Sequence, residues 1–450
     1  MLWWVFACGP ETSPGEPTKP VDPGVDSGAD PVTDTSDPRT DSGTDTGTPP
    51  IDRDSDGVPE GEDCDDLDPD VYPGAEEVWG DGADNDCDLA IDCDDPDLSH
   101  LTESWYGDAA AADLPGFCLG WCERDIAGTL EITGASVTSL PDLSCVHVIG
   151  GGLDVFESGL TSFAGFERLE TVVGFVYVAN NDALASVDGL ERLATIGDSL
   201  TVYDNPALGS LDGFGGLGSV TNAVWVSYND VLPTLDGLGS ITRMGALYVS
   251  DNPSLHSLTP LSTAEVEGEV VIANLPALTS LAGLESLQGV GLGLTLAWNP
   301  SLVDLAGLDG LTTLDGPLTL HGNGAVTQIE ALAGLTSLGG LYVAYEDALT
   351  DLTGLEGVTS LEGDLELTYA SGLTSLSGLD ALTSVGGDMA ILYAVNLADL
   401  DGLGALHTVG GDLTIRGNLS VGDAAATAFA DAIEVAGTVD VADNDGSAAR

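Results

Sequence analysis

The sequence has very little positive charge. Its 450 residues include only 9 Lys and Arg against 75 Asp and Glu, which gives a formal net charge of -66. So few cations exclude the basic surface that nucleic acids and anionic membranes require. Methionine is also scarce, at three residues, whereas glycine is abundant, at 60. This composition favours many short strands and turns over packed helices, and the length favours several domains or an elongated repeat protein.

The chain also lacks long apolar runs and is poor in cysteine. No segment beyond the N-terminus approaches the ~18 apolar residues of a membrane span. One of the seven cysteines stands near the N-terminus, and the other six are confined to positions 64, 87, 93, 118, 122 and 145. Cysteines clustered in a small loop-rich region are typical of disulfides formed in an oxidising, extracytoplasmic compartment. The spacing leaves their pairing open.

The first eight residues form an apolar stretch that ends in Ala7-Cys8-Gly9. This ending resembles that of a bacterial lipoprotein signal, and the resemblance implies that residues 1–8 are a signal remnant with Cys8 as the lipidated residue. Residues 9–50 consist mainly of Pro, Gly, Asp, Thr and Ser, so they bury too little surface to offset the entropy of ordering. We therefore expect a disordered linker in a protein that is anchored to the outer membrane by lipid or secreted, with membrane contact only through the anchor.

Carboxylates at alternate positions precede Gly57, which permits a sharp turn, and this spacing is typical of a calcium loop. With Asp52 as loop position one, the predicted ligands are Asp52, Asp54, Asp56, the carbonyl of Val58, Glu60 and Asp63. Such a set contains only hard oxygen ligands, which suit calcium better than transition metals.

Three further strings follow this loop: DCDD from Asp63, PGAEE from Pro73 and DGADNDCD from Asp81. Their order resembles the metal-binding repeat of MopE-like proteins of bacterial envelopes, and the opening is similar to thrombospondin-type calcium repeats. The resemblance covers residues 52–92 and implies a metal-binding module, which we place at 51–98. The additional predicted ligands are Asp65, Asp66, Asp68, Asp81, Asp84, Asp86 and Asp88. The alternative is that these acids are a solvated continuation of the linker.

A motif of the form L-x-G-L-x-x-L repeats every 23 or 24 residues through the rest of the chain. Its first apolar residue stands at Leu140, Phe163, Val187, Leu211, Leu235, Leu258, Leu281, Leu305, Ile329, Leu352, Leu376 and Leu400. This period indicates a leucine-rich solenoid in which each coil buries its apolar face against its neighbours. We expect about thirteen rungs, which with strands ~4.8 Å apart would form a rod of roughly 60 Å.

Each repeat also contains a short alternating strand followed by a turn position, and that position often holds asparagine. The expected asparagine ladder consists of Asn181, Asn205, Asn229, Asn252, Asn299 and Asn323. Asparagine in such a turn can satisfy backbone groups of the neighbouring coil. Other residues fill the position at Leu275, Glu346, Ala370 and Ala394, and we expect them to interrupt the ladder and loosen their rungs.

The repeats resemble the bacterial receptor L-domain-like leucine-rich family, as in the string DSLTVYDNPAL from Asp198. The resemblance implies a mainly β protein: a parallel β-solenoid at 128–446, preceded by the small cysteine-containing acidic module. A cysteine-containing cap is expected at 99–127, and a cap helix at about 424–433.

Aromatic residues mark candidate ligand-binding positions on the outside of the predicted strands. They are Tyr177, Trp225 and Tyr248 on the strands and Tyr345, Tyr369 and Tyr393 at one corner, where the 24-residue spacing predicts that the rings stack. Tyr and Trp dominate binding hot spots, so a protein or glycan partner is one interpretation. Cross-strand aromatic pairs that only stabilise the sheet are the other.

No nucleophile stands beside a base in any recognisable catalytic motif, and the five histidines occupy unrelated positions of the repeat. We therefore expect a non-enzymatic adhesion or recognition protein with calcium as its cofactor. The alternatives are a purely structural envelope spacer and, more remotely, a β-helix enzyme that acts on polysaccharides.

Overall fold

A computed structural model of the chain describes residues 51–75, 83–88, 102–105, 109–110, 114, 116–118 and 123–445. The chain divides into a unit of Met1–Ile51 and a unit of Asp52–Arg450. The predicted signal remnant 1–8 with Cys8 and the predicted linker 9–50 lie outside the described residues. So does Asp81 among the predicted metal ligands.

The second unit is built from short parallel strands. In chain order they are β1 (Thr102–Trp105), β2 (Ala109–Ala110), β3 (Glu123–Ile126), β4 (Leu130–Thr133), β5 (Val148–Ile149), β6 (Leu153–Phe156), β7 (Thr171–Val172), β8 (Val176–Ala179), β9 (Thr195–Ile196), β10 (Leu200–Tyr203), β11 (Ser219–Ser227), β12 (Arg243–Ser250), β13 (Glu265–Val266), β14 (Glu269–Ala273), β15 (Gly289–Val290), β16 (Gly293–Ala297), β17 (Thr313–His321), β18 (Ser337–Ala344), β19 (Ser360–Leu361), β20 (Leu365–Thr368), β21 (Ser384–Val385), β22 (Met389–Leu392), β23 (Thr408–Val409), β24 (Leu413–Arg416), β25 (Glu434–Val435) and β26 (Val439–Ala442).

Each coil contributes two strand segments, which form two parallel ribbons along the solenoid. The first ribbon contains β1, β3, β5, β7, β9, β13, β15, β19, β21, β23 and β25; the second contains β2, β4, β6, β8, β10, β14, β16, β20, β22, β24 and β26; and β11, β12, β17 and β18 run through both. Pairing is shifted by one repeat, so Leu200 of β10 lies between Val176 and Val224. This register confirms the parallel β-solenoid that the 23- or 24-residue period predicts.

The L-x-G-L motif forms the turn side of each coil. In several coils it includes a short 3-10 helix, at Asp212–Phe214, Asp236–Leu238, Thr259–Leu261, Glu330–Leu332 and Asp401–Leu403. Phe214 and Leu238 of these helices are buried, because the motif turns its apolar residues inward. A Cβ at Gly237 would overlap the Leu211 carbonyl of the preceding coil, so the glycine permits this close stacking of backbones.

A continuous apolar core runs inside the coils from Leu114 to Ala430. It is formed mostly by Leu, Val and Ile, because every coil repeats the same inward positions. At the back, the helix α1 (Asp423–Asp431) lies where a cap helix is expected, buries Ala426 and Ala430, and contacts β25 and β26. Among the described residues, no helix has the length and apolar composition needed to cross a membrane.

A ladder of buried asparagines runs beside the second ribbon. Its members are Asn181, Asn205, Asn229, Asn252, Asn299, Asn323, Asn418 and Asn444. In each step the side-chain oxygen of one coil accepts from the coil before it: Asn229 Oδ1 accepts from the backbone N–H of Asn205 at 3.2 Å and from its Nδ2 at 3.3 Å. The Asn229 Nδ2 in turn donates to the Val202 carbonyl at 3.1 Å. The ladder therefore supplies hydrogen-bond partners to buried backbone groups at the end of the second ribbon.

The ladder ends on other side chains that can take part in the same pattern. At the front, the backbone N–H and hydroxyl of Ser158 donate to Asn181 Oδ1 at 3.0 and 2.7 Å. At the back, Asp423 Oδ1, in the first turn of α1, accepts from the N–H of Asn444 at 2.8 Å and from its Nδ2 at 3.1 Å. A carboxylate thus closes the ladder.

The expectation that Glu346 interrupts the ladder was wrong. Its Oε1 accepts from both the N–H and the Nδ2 of Asn323, each at 2.9 Å, because the ladder needs an acceptor and a carboxylate supplies one. At Leu275 and Ala394 the side-chain link is missing, but their N–H groups donate to Asn299 and Asn418, so the ladder resumes in the next coil.

Candidate metal-binding module and aromatic surfaces

The first acidic loop folds around the carboxylate of Asp52. One oxygen of Asp52 accepts from the Ser55 N–H at 2.7 Å and the other accepts from the Gly57 N–H at 3.2 Å. Gly57 has φ +106°, a left-handed conformation that its lack of a Cβ allows. The turn predicted from the glycine therefore brings the alternate aspartates to one side of the loop.

The carboxylates of Asp52, Asp54 and Asp56 converge, with one oxygen of each within 4.8 Å of the others. Asp54 and Asp56 use one oxygen to accept backbone N–H groups of Asp56 and Val58, at 3.3 and 2.7 Å. Their second oxygens are buried and have no hydrogen-bond partner. Burial first, and then the charges of Asp56, Asp63 and Asp52, raise the pKa of Asp54. The second oxygens of Asp54 and Asp56 therefore carry negative charge that no hydrogen-bond donor balances.

Other predicted ligands lie close to this loop, but not all face the cluster. Asp63 Oδ2 and Asp66 Oδ1 are also buried without a hydrogen-bond partner. Glu60 instead pairs with Arg53 at 2.8 Å, and the Nε of Arg53 lies 3.3 Å from Asp66 Oδ2. The predicted position-nine ligand is thus held by an arginine, while Asp66 adds an oxygen to the same region.

A second group of converging carboxylates is formed by Asp84, Asp86 and Asp88, again with oxygens within 4.8 Å of one another. The Asp88 N–H donates to Asp84 Oδ1 at 3.0 Å and to Asp86 Oδ1 at 3.1 Å. Asp65 and Asp68 are exposed and accept backbone N–H groups two residues further on, which stabilises local turns.

The disulfide Cys64–Cys87 ties the two acidic loops together. Two backbone contacts support it: the Tyr72 N–H donates to the Asn85 carbonyl at 2.8 Å, and Asn85 Nδ2 donates to the Asp70 carbonyl at 3.3 Å. Asn85 is buried. Because both sulfurs are bonded to each other, neither is available to a metal, and the module offers oxygen ligands.

On the solenoid, one residue of every coil adopts a left-handed conformation directly after the second-ribbon strand. From β4 onward these residues are Gly134, Glu157, Asn180, Asp204, Tyr228, Asp251, Asn274, Trp298, Gly322, Tyr345, Tyr369, Tyr393, Gly417 and Asp443. Asn, Asp and Gly adopt this conformation readily, whereas a bulky residue does so at a cost of ~1–3 kcal/mol. Five coils nevertheless place Tyr or Trp there.

Four of these side chains form an aromatic row: Trp298, Tyr345, Tyr369 and Tyr393. Neighbouring tyrosine rings lie 5.3 and 4.8 Å apart with interplanar angles of 12° and 8°, so they stack as the 24-residue spacing predicts. Trp298 continues the row 6.3 Å from Tyr345. All four are exposed, Trp298 by 51%. Stacking of ~0.5–1.5 kcal/mol per pair offsets only part of the strain of ~1–3 kcal/mol at each of the four residues, so the row adds no net stability.

A second group, the aromatic patch, lies nearer the front and consists of Tyr177, Tyr203, Trp225, Tyr228 and Tyr248. Trp225 and Tyr248 stack at 3.7 Å, and Tyr203 meets Tyr228 edge-on at 5.2 Å. The Tyr248 hydroxyl donates to Glu269 at 2.8 Å; burial and this carboxylate raise the pKa of Tyr248 to about 12. Tyr203 and Tyr228 were not identified from the sequence. Tyr203 is the last residue of β10 and Tyr228 lies in the turn after β11, so neither belongs to the alternating inward positions of the repeat.

Comparison with known proteins identifies the acidic region. The family model of the MopE metal-binding motif matches residues 63–93, which confirms the resemblance read from the sequence. A crystal structure of an internalin from Listeria monocytogenes matches with a TM-score of 0.32 and 14% identity, covering 70% of this chain and 78% of that chain. A search of curated proteins returns no significant match.

Proposed function

We propose that the chain is a non-enzymatic, extracytoplasmic binding protein whose acidic module holds calcium and whose solenoid presents a recognition surface to a protein or glycan. The observation that carries this proposal is the set of exposed aromatic side chains on the second ribbon and its corner, including Trp225, which is 42% exposed. Clustered Tyr and Trp on a rigid surface are typical of binding hot spots.

Calcium is the ion that the module fits best. Carboxylate oxygens of Asp54, Asp56, Asp63 and Asp66 are buried without hydrogen-bond partners, and a cation held there would compensate their charge. The oxygen-only ligands match calcium, whereas transition metals prefer histidine or thiolate. Asp52, Asp54, Asp56, Asp63 and Asp66 would hold one ion, and Asp84, Asp86 and Asp88 a second.

Two disulfides support the extracytoplasmic assignment. Cys64–Cys87 lies in the acidic module and Cys118–Cys145 at the front of the solenoid. Such bonds persist in oxidising compartments. Lipid attachment at Cys8 to the outer membrane is part of the proposal and rests on the N-terminal sequence.

Calorimetric titration of the full chain tests the metal assignment. Calcium should bind with measurable heat, and Asp56→Asn should weaken binding about tenfold or more, because the loop loses a charged ligand. Asp188→Asn, the same change at an exposed turn of the solenoid, is the control and should bind as the wild type does. If calcium gives no heat, or both variants behave alike, the assignment is wrong.

A glycan and protein array probed with the full chain tests the recognition role. Saturable binding that Tyr369→Ala weakens supports recognition. The control is Val173→Ala, at an exposed apolar residue elsewhere on the coils, and it should leave binding unchanged. Absence of saturable binding to any ligand contradicts recognition and favours a structural envelope spacer.

A further inference from the structure

The aromatic patch contains a notch on the second ribbon. Tyr177, Thr201 and Trp225 occupy the same outward position in three successive coils, and the strand register pairs each with the next. Thr201 is short, whereas the residues on either side carry large rings. Since coils stack ~4.8 Å apart, the two rings begin about 9.6 Å apart with only the threonine between them. This spacing leaves room for one flat or compact group.

The face of Trp225 toward Thr201 is open. Tyr248 covers the opposite face at 3.7 Å, yet 42% of Trp225 remains exposed. Tyr203 and Tyr228 stand beside the notch, 39% and 46% exposed, with their rings held edge-on to each other. The notch is therefore bordered by aromatic side chains that solvent reaches.

Carboxylates lie near Tyr177 and Tyr203. Asp154 pairs in register with Tyr177, on the side away from Thr201, and its buried Oδ1 has no hydrogen-bond partner. Burial, and then the charge of Glu131, raises the pKa of Asp154. Burial, and then Asp182 and Asp230, raises the pKa of Asp204, which follows Tyr203.

No positive charge balances these acids within the ribbon. The second-ribbon segments 130–133, 153–156, 176–179, 200–203, 224–227 and 247–250 contain no Lys or Arg. Among the neighbouring coils, Arg192 lies in an exposed turn before β9, and Arg243 lies in the first-ribbon part of β12 and pairs with Glu265 and Glu267 at 3.5 and 3.6 Å. The notch thus combines an open indole face with uncompensated negative charge.

We propose that the notch over Thr201 binds a guanidinium or ammonium group from a basic segment of a partner protein. The cation lies against the Trp225 face, which attracts it through the ring quadrupole, while Asp204 of the Thr201 coil supplies opposite charge and Asp154, one coil beyond Tyr177, adds a weaker contribution. A neutral sugar could donate hydroxyl hydrogen bonds to these carboxylates but would not offset their charge, and an anionic partner would be repelled. The inference rests on the proposed recognition function and names its partner class.

Titration of the full chain with a short peptide of alternating Arg and Gly tests the proposal at physiological salt, where distant charges are screened beyond ~8 Å. The peptide should bind saturably, and a matched peptide with neutral citrulline in place of Arg should not. Trp225→Ala should weaken binding about tenfold, the size of a desolvated cation–π contact. Leu292→Ala, which removes an exposed apolar side chain outside both aromatic groups without changing net charge, should bind as the wild type does.

A second variant keeps the test independent of lost packing. Thr201→Phe places a ring between Tyr177 and Trp225, where cross-strand stacking should preserve the fold, but it fills the notch and should abolish peptide binding. Thermal melting followed by circular dichroism verifies that each variant is folded. If Trp225→Ala and Thr201→Phe bind the peptide as tightly as the wild type, the attraction is diffuse and the inference is wrong.

The two proposals fail in different ways. One outcome is an array ligand that binds both notch variants as tightly as the wild type and resists displacement by the arginine peptide. That result overturns the inference but leaves the recognition function standing. If neither the peptide nor any array ligand binds saturably, both are overturned.

Discussion

Replacing Asn229 with alanine removes one full step of the asparagine ladder. Its Oδ1 accepts twice from Asn205, at 3.2 and 3.3 Å. Its Nδ2 donates to Val202 O at 3.1 Å, Ser227 O at 3.0 Å and Asn252 Oδ1 at 3.2 Å. At about 1 kcal/mol net per hydrogen bond, and allowing for partial replacement by relaxation, the free energy of unfolding should fall by about 3–5 kcal/mol.

Urea denaturation followed by far-UV circular dichroism measures this loss. The matched control is Asn222→Ala, in which the same side chain is exposed and its Nδ2 donates only to Asp198 Oδ1, at 3.0 Å. That change should alter the free energy of unfolding by no more than about 0.5 kcal/mol. Losses of equal size in the two variants would refute the idea that the buried ladder stabilises the stack.

Two other substitutions test the interior. Burial raises the pKa of Glu346 despite the bonds from Asn323. A carboxyl group whose folded pKa lies above its unfolded value destabilises the fold when ionised, so Glu346→Gln should raise the melting temperature at pH 7. The gain should shrink as pH falls toward ~4, where the unfolded group also takes up its proton, and a gain that grows on acidification would contradict this account. Gly237→Ala should lower the free energy of unfolding by more than about 2 kcal/mol, because its Cβ meets the Leu211 backbone. The control Gly324→Ala, with open space around it, should change the free energy of unfolding by about 0.5 kcal/mol or less. Similar denaturation midpoints in the two variants would show that the coils can separate at little cost.

The repeat period was sufficient to predict the fold, because residues one period apart, such as Leu200 and Val224, pair in register. It did not predict the left-handed conformation of Tyr345, since residue type argues against a bulky side chain there. Nor did it predict Glu346 as a ladder acceptor, because the sequence does not show which oxygen a buried carboxylate turns toward its neighbour.

The candidate sites were partly visible in the sequence. The aspartates around Gly57 were recognised from their spacing, but the pairing of Glu60 with Arg53 depends on side-chain directions that spacing does not define. The notch had a sequence signal that went unused: the small Thr201 lies one period from both Tyr177 and Trp225.

Every side-chain oxygen of the asparagine ladder faces the same way, since each one accepts from the coil before it. Deleting coils from the front would therefore leave a spare acceptor, which water tolerates, whereas deleting them from the back would strand the N–H groups of the last remaining asparagine. Asp423 satisfies those donors in the full-length chain. Evolution or engineering can thus change the repeat number more easily at the front, and any shortened back end must retain a terminal carboxylate acceptor.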